Sequence, residues 1–396
     1  QTLMGIEFWS GALLIILITG AYTILGGLRA VIYTDALQAI VLILGSLTIT
    51  IIGLFKIGGW NNLVESVGYS HFNMFLPADH PDFPWIGMVF APPIIGIWYW
   101  CTDQYIVQRV LSAQNETQAR RGTIFGAYLK LLPIFMFFIP GLIAYAMTKS
   151  GQLSYDSSDQ VFPTLVRELL PSGMRGLVAG GLLAALMSSL SSVFNSCSTL
   201  FTMDIYKKLK PNASEKKLVV VGRIATGIIV ISGILWIPLM KVVSSGGLYQ
   251  YLQSVQAYIA PPIAAVFLLG IFWNRINSRG ALAALVGGFS AGMFRLALEI
   301  NKANLSGFLY DFADLNFLYF AIFSFLACIA LMITVSLITP APDLNRISGL
   351  TYATTSKNDL KESKNSWESF DLINSVIIIL ILALILIYFS PIGIGG

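Results

Sequence analysis

Residues 97–109 read IWYWCTDQYIVQR, and this stretch ends an apolar run that begins near Trp85. Together they are long enough to cross a bilayer as a helix. A helix surrounded by lipid does not place three successive aromatics before a carboxylate and two amides, because buried polar groups are costly unless they face a partner or a cavity. A second polar stretch, LMSSLSSVFNS at 186–196, lies two predicted helices downstream. The two stretches indicate a pathway through a helical bundle.

The composition is that of a polytopic membrane protein. Charged residues make up 11% and hydrophobic residues 56% of the 396 residues, whereas an ordinary soluble domain is about 25% charged. We predict an all-α polytopic membrane protein with about ten transmembrane helices. The predicted helices are 8–25, 36–55, 85–102, 123–147, 176–202, 218–240, 248–273, 280–300, 317–339 and 373–392. No nucleotide loop, catalytic triad or metal-ligand spacing occurs in the sequence, which argues against an enzyme.

The loops predict the orientation of the chain. If the loop after the first segment is inside, the inner loops carry most of the Lys and Arg residues, as the positive-inside rule requires. The polar segment 340–372, rich in Asp, Lys, Ser and Asn, then becomes a mobile cytoplasmic connector before a last helix at 373–392. We expect 1–396 to form a single transmembrane transporter domain. Because the sequence begins at Gln1, without Met and almost directly before a hydrophobic segment, we also expect it to be truncated at its N-terminus.

The aromatic stretch has the side chains of a sugar site. On a helix, Tyr99 and Asp103 share one face, and Trp100 and Gln104 share the adjacent face. An aromatic ring offers a flat surface to the C–H face of a pyranose, while carboxamides and hydroxyls match its hydroxyl groups. The alternative interpretation is an interfacial aromatic belt, with Asp103 near the lipid headgroups.

Other polar residues lie within the predicted helices. Lys130 either snorkels to the cytoplasmic surface or faces the cavity as a hydrogen-bond donor to solute. Gln253 and Gln256 share a face before two prolines, and as buried amides they bond either to neighbouring helices or to a polyhydroxyl solute. Arg295 and Glu299, four residues apart, form a self-neutralising pair with a structural role in this interpretation.

A polar stripe follows one face of the predicted fifth helix, at Ser188, Ser192, Asn195, Thr199 and Thr202. Small polar residues commonly let membrane helices approach closely, which is one interpretation. The other is coordination of an alkali cation, because hard cations take oxygen ligands from hydroxyls and backbone carbonyls. Asp35, at the start of the second predicted helix, either completes such a cation site or caps the helix.

Four motifs in order resemble the sodium/solute symporter family, and specifically its sodium/glucose cotransporter branch. They are ILGGLRA at 24–30 with YTD at 33–35, the stretch 98–109, MSS at 187–189 running on to FTMDIY at 201–206, and GIFWNR at 270–275 leading into Gly280-Ala281. The resemblance covers about residues 10–340. The string WYWCTDQ is typical of sugar and inositol carriers rather than proline or pantothenate carriers.

The resemblance implies a fold and a location. Members of this branch have a LeuT-like core of two inverted five-helix repeats, with solute and sodium at the midplane beside broken helices. They have fourteen spans, so the ten predicted here lack the first four. The implied location is the plasma membrane, or the inner membrane of a bacterium, as a multi-pass protein.

The resemblance also implies site residues. The implied sugar-binding residues are Tyr99, Trp100, Lys130, Gln253 and Gln256. The implied sodium site common to the family comprises Ala185, Ser188 and Ser189, and a possible second sodium site comprises Asp35, Ser191 and Ser192. The family's other sugar ligands and the other half of the common sodium site come from the first core helices, which we expect this chain to lack.

The expected function is sodium-coupled symport of a monosaccharide such as glucose or galactose by alternating access, with no nucleic-acid partner. Two alternatives stay open. In the first, the protein is a symporter whose solute is myo-inositol, another polyol or an organic anion. In the second, it is a sugar-gated, sodium-conducting sensor with little net transport.

Overall fold

A computed structural model describes residues 5–243 and 248–396, with side chains at all of these except 8, 22, 24–35, 37, 239–243, 248, 250 and 362. The described residues contain one isolated β-bridge, between Leu76 and Pro84, and are otherwise helices, turns and loops. In this part of the chain, nine helices are long and apolar enough to cross a membrane. The predicted all-α polytopic class is therefore confirmed.

The α-helices follow one another along the chain. They are α1 Phe8–Ile57, α2 Trp60–Val67, α3 Trp85–Ile97, α4 Gln104–Leu111, α5 Glu116–Leu129, α6 Ile139–Lys149, α7 Val161–Leu169, α8 Ser172–Leu200, α9 Lys207–Leu209, α10 Glu215–Val243, α11 Leu248–Phe272, α12 Ser278–Ile300, α13 Phe308–Asp314, α14 Phe317–Ile338, α15 Lys357–Asn365 and α16 Ser369–Tyr388. Three π-helical segments adjoin these helices, at Trp98–Thr102, Ile134–Phe138 and Phe201–Tyr206. Short 3-10 helices lie at Tyr69–Phe72, Ser158–Gln160 and Lys302–Asn304.

The predicted boundary between the first two spans is wrong. Segments 8–25 and 36–55 both fall on α1, a single helix of 50 residues. Within α1 the membrane-length part is Gln38–Ile57, and the shorter apolar part is Trp9–Ala21. The intervening sequence contains no proline, so nothing removes a backbone donor and the helix continues.

Two proline pairs lie inside continuous helices. Pro92-Pro93 lie inside α3 and Pro261-Pro262 lie inside α11, and both helices continue through them. Helix breaks fall instead at Asp103 and near Pro133. The polar segment 340–372 contains the helix α15, and the last helix begins at Ser369.

The chain divides into two compact units, one of residues 1–72 and 125–242, the other of residues 73–124 and 243–396. In the first unit, α1 packs along α8 and also contacts α6 and α7. The two long helices approach closely at Gly45, where an added Cβ would lie 2.4 Å from Cγ2 of Val178. Only a residue without a side chain permits that approach, which fixes α8 against α1.

The second unit has a core of four helices, in which α11, α12 and α14 pack on one another and α3 packs on α11 and α14. A stripe of small buried residues on α12, at every fourth position, makes the contact: Gly280, Ala284, Gly288 and Gly292. At Gly292 an added Cβ would lie 2.5 Å from the carbonyl oxygen of Tyr258 on α11. Small residues at this spacing let membrane helices pack backbone to backbone.

Arg295 and Glu299 do not form the pair predicted within α12. Arg295 is 2% exposed, donates to the carbonyl of Leu315 and lies over the rings of Phe320 and Tyr258, at 4.6 and 5.5 Å from their centroids. Glu299 accepts a hydrogen bond from the Tyr258 hydroxyl. Aromatic faces on neighbouring helices and the Leu315 carbonyl, between α13 and α14, stabilise the buried cation. The two side chains therefore join α12 to α11 and α14.

The last helix is held at its start by a buried carboxylate. The Asp371 side chain is fully buried and accepts from Nη1 of Arg120 and Nε of Arg121 on α5, each at 3.2 Å. Arg121 also pairs with Glu368 at 2.7 Å, and Arg120 lies 4.4 Å from the ring centroid of Trp367. A buried carboxylate needs such partners, so these bonds fix α16 to α5.

Candidate functional site

The aromatic stretch forms a helix break. Helix α3 passes into the π-helical turn Trp98–Thr102, the backbone becomes extended at Asp103, and α4 begins at Gln104. The Thr102 hydroxyl donates to the Trp98 carbonyl at 2.6 Å, and the Asp103 side chain accepts from the backbone N–H of Tyr105. Thr and Asp side chains that bond to nearby backbone groups favour caps and turns over continuous helix. The break is therefore encoded locally.

Four aromatic rings gather at this break. The ring centroid of Tyr99 lies 6.1 Å from Trp98, 5.1 Å from Trp100 and 5.9 Å from Tyr105. The hydroxyls of Tyr99 and Tyr105 are 2.5 Å apart and share a hydrogen bond. Trp100 is 49% exposed. The arrangement presents aromatic surface on a backbone that is fixed on both sides of the break.

Burial raises the pKa of two side chains beside the aromatic turn. It raises the pKa of the Asp103 carboxyl above its ordinary value of 3.8, and the hydrogen bond from the Tyr105 N–H opposes that rise. Burial, followed by the hydrogen bond with Tyr99, raises the pKa of the Tyr105 hydroxyl. The Tyr105 phenol is therefore neutral at physiological pH and available as a donor or acceptor.

The helix that carries the amides predicted to bind sugar packs against the aromatic turn. Helix α11 packs against the π-helical turn Trp98–Thr102. Gln253 and Gln256 lie on this helix, and both are half-buried. The second unit thus brings together the elements that carry Tyr99, Trp100 and the two amides. Their assignment as sugar ligands stays a prediction.

Lys130 belongs to the other unit. It follows the end of α5 in a turn before Pro133, and its side chain is exposed. The turn and the π-helical segment Ile134–Phe138 divide the predicted fourth span at this point. Both interpretations of Lys130, snorkelling and solute binding, stay predictions.

The polar stripe lies on α8, one long helix of the first unit, and ends at Thr202 in the π-helical segment Phe201–Tyr206. Together with the flanking residues Ser189, Ser191 and Ser196, it is called the hydroxyl stripe below. Ser188, Ser191 and Ser192 are buried, Ala185 is half-buried, and Ser189 is exposed. The helix therefore points Ser188 and Ser189 to different surroundings. The predicted site at Ala185, Ser188 and Ser189 stays a prediction.

The hydroxyls of this stripe differ in their partners. Thr199 donates to the Asn195 carbonyl at 2.8 Å, as a hydroxyl in a helix commonly does. In contrast, the hydroxyls of Ser191, Ser196 and Thr202 are buried and have no hydrogen-bond partner among the side chains and backbone that the structure describes. A buried hydroxyl without a partner is costly, and oxygen atoms of this kind are suitable ligands for a hard cation.

Asp35, predicted to complete a second sodium site with Ser191 and Ser192, lies among the residues whose side chains are outside the described part. Its helix, α1, packs along α8. The second sodium site stays a prediction.

Sequence reasoning missed the contact between Tyr105 and Tyr99. The signal was present, because a second tyrosine stands six residues after Tyr99, beyond a Thr-Asp pair that favours a helix break. In an uninterrupted helix, positions six apart do not face each other. The contact depends on the π-helical turn and the extended residue, neither of which periodicity reveals.

Apolar helices interrupted by polar turns are the architecture of ion-coupled secondary transporters. The chain belongs to the sodium:solute symporter family, whose family model matches residues 1–288. The predicted family is therefore confirmed, and with it the LeuT-like class of helical fold.

Several curated relatives are sugar and polyol cotransporters. The chain is 38% identical over 394 residues to the sodium/glucose cotransporter 1 of Oryctolagus cuniculus, covering 87% of this chain and 58% of that protein. It is 38% identical to a sodium/mannose cotransporter of Bos taurus, covering 90% and 65%, and 37% identical to the human sodium/myo-inositol cotransporter 2, covering 89% and 58%. The chain thus spans about three fifths of the length of these relatives.

A solved structure is also similar. It is the substrate-bound, outward-open state of a Na⁺-coupled sialic acid symporter, with a TM-score of 0.68 and 26% sequence identity. The similarity covers 86% of this chain and 69% of the other.

Proposed function

We propose that the protein couples the inward movement of sodium to the uptake of a monosaccharide of the glucose or galactose type by alternating access. The observation that carries the proposal is the aromatic turn Trp98–Thr102 packed against α11, the helix with the two half-buried amides. The glucose, mannose and myo-inositol cotransporters among the relatives support a polyhydroxyl solute. The protein acts in the plasma membrane, or in the inner membrane if it is bacterial.

On the sugar side, stacking supplies affinity and amides supply orientation. The ring of Tyr99, with Trp100 beside it, covers the C–H face of the sugar. Gln253 and Gln256 each offer a donor and an acceptor to its hydroxyls. Transport requires neither a covalent intermediate nor a catalytic residue.

On the cation side, sodium is a co-transported substrate. Ala185, Ser188 and Ser189 contribute to one sodium site, and Asp35, Ser191 and Ser192 to a second. Each charge that crosses the membrane releases about 2.3 kcal/mol per 100 mV of potential. Sodium drives uptake by binding better to the state that exposes the sugar site, which raises the population of that state.

The test uses the full-length protein in proteoliposomes with labelled glucose and galactose. Accumulation above equilibrium is expected with an inward sodium gradient and not when potassium replaces sodium. Sodium-dependent accumulation of myo-inositol in place of either sugar favours the polyol alternative, in keeping with the inositol relative. A sugar-evoked sodium current without labelled-sugar accumulation contradicts symport and indicates a sensor.

A further inference from the structure

Tyr105 contacts the aromatic turn from the far side of the helix break. Its ring lies edge-on to that of Tyr99, with an interplanar angle of 78°. The hydroxyl oxygens are 2.5 Å apart, which makes one hydrogen bond in either direction. This bond bridges the π-helical turn and the first turn of α4.

The base of Tyr105 is itself held in place. Its backbone N–H donates to the Asp103 carboxylate, and its carbonyl accepts from Nη1 of Arg109 at 2.8 Å. The backbone N–H of Asp103 in turn donates to the Trp98 carbonyl at 3.1 Å. Tyr105 is therefore a fixed point against which a neighbouring ring is oriented.

The Tyr99 hydroxyl finds its hydrogen-bond partner outside its own turn, in Tyr105. Its ring lies within a π-helical segment, a wider turn than an α-helix and one that is frequent at functional sites. The ring packs against Trp98 and Trp100, and Trp100 is half-exposed. A side chain in such a place retains rotamer freedom unless a specific bond removes it.

We propose that Tyr105 is a positioning residue for the sugar site, whose hydroxyl holds the Tyr99 ring in the orientation that receives the sugar. The inference rests on the proposed function and extends it to a residue that does not itself contact the solute. Without the bond, the Tyr99 ring samples other rotamers, and sugar binding then has to restore the one that stacks.

The test is Tyr105→Phe, which keeps the ring and removes only the hydroxyl. We expect the sugar concentration for half-maximal uptake to rise about fivefold, the factor that one ordinary hydrogen bond represents. The sodium concentration for half-maximal uptake and the maximal rate per carrier should stay unchanged. A role limited to folding would instead lower the amount of carrier, or its maximal rate, without this selective shift.

Two further variants complete the experiment. Tyr99→Phe removes the other hydroxyl of the same bond, so the double variant should be no worse than the poorer single variant. Tyr319→Phe is the matched control, because it also loses a tyrosine hydrogen bond, to the carbonyl of Ala78 at 2.7 Å in the loop before α3. Its sugar half-saturation should equal that of the parent protein.

The outcomes separate the two proposals. Normal uptake with an unchanged sugar half-saturation in Tyr105→Phe overturns the positioning role alone, as do additive effects in the double variant. Parallel loss of sugar and sodium affinity also overturns it, because the bond would then serve the whole structure. Absence of sodium-dependent sugar uptake in the parent protein overturns the proposed function, and the positioning role with it.

Discussion

The polar side chains of two regions differ in whether they have hydrogen-bond partners. One region is the aromatic turn Trp98–Thr102 with the adjoining Asp103 and Tyr105, and the other is the hydroxyl stripe on α8. In the turn, the polar side chains have partners close by. The hydroxyls of Tyr99 and Tyr105 share a hydrogen bond, the Thr102 hydroxyl donates to the Trp98 carbonyl, and the Asp103 carboxylate accepts from the backbone N–H of Tyr105. In the stripe, the Ser191 hydroxyl is fully buried and has no hydrogen-bond partner among the described residues.

The difference indicates which kind of ligand each region is suited to bind. A self-satisfied turn is rigid before any ligand arrives, which suits a surface on which a neutral solute stacks. A buried hydroxyl without a partner carries an unmet cost that a cation removes when it binds. We therefore expect changes in the stripe to alter sodium dependence, and changes near the turn to alter sugar dependence.

The largest effect should come from Ser191→Ala. The expected result is a rise of about tenfold or more in the sodium concentration for half-maximal uptake, because bonds to charged groups are worth about 1.5–3 kcal/mol. Sodium-dependent uptake at saturating sugar measures it. Thr199→Ala is the control on the same stripe, since Thr199 is exposed and bonds to Asn195. Equal effects in the two variants would remove the distinction between partnered and unpartnered hydroxyls.

The next effect should come from Gln253→Ala on the sugar side. Loss of one neutral amide contact should raise the sugar half-saturation about fivefold and leave the sodium half-saturation unchanged. Kinetics of labelled-sugar uptake at saturating sodium measure this, with Gln152→Ala in an exposed loop as the control. Equal loss of sugar and sodium affinity would contradict a ligand role for Gln253.

A smaller effect is expected on the thermal stability of Ser191→Ala. Without sodium, Ser191→Ala should unfold at a slightly higher temperature than the parent, because an unsatisfied buried hydroxyl costs about 1–3 kcal/mol. Saturating sodium should stabilise the parent more than the variant. Thermal unfolding in detergent, with potassium in place of sodium as the reference, measures both. A variant that is less stable in both salts would indicate a packing role for this serine.

The smallest effect concerns pH at the turn. Burial raises the pKa of Asp103, so the folded state holds that proton more tightly than the unfolded state does. The stabilisation is complete below the ordinary value of 3.8 and is lost as pH rises through the higher folded pKa. The parent should therefore lose stability relative to Asp103→Asn as pH rises from about 4 to 7. A difference in unfolding temperature between the parent and Asp103→Asn that does not change with pH would refute the raised pKa of Asp103.

Much of the fold followed from apolar runs alone, because a span needs about 20 apolar residues whatever its neighbours are. The error at α1 arose where the run is interrupted by Arg29 and Asp35 without a proline. Charge alone does not break a helix, since it leaves the backbone hydrogen bonds intact. Membrane-length counting reports where lipid is crossed and not where a helix ends.

The candidate site was less accessible from the sequence. Helical spacing places Gln253 and Gln256 on one face and follows the stripe on α8, since both helices are regular. It fails at Tyr105, where a π-helical turn resets the spacing. It also fails for Arg295 and Glu299, because the nearest partners of each lie on other helices and packing decides between them.

Equilibrium sugar binding at a series of sodium concentrations tests the central claim of sodium-coupled sugar symport most directly. If the stripe and the turn are coupled through one conformational equilibrium, sodium must raise sugar affinity, and sugar must raise sodium affinity by the same factor. We predict that labelled-sugar binding to the purified full-length protein strengthens steeply as sodium replaces potassium, and that Ser191→Ala shifts this dependence to higher sodium. Sugar binding of equal affinity in sodium and in potassium would contradict the account.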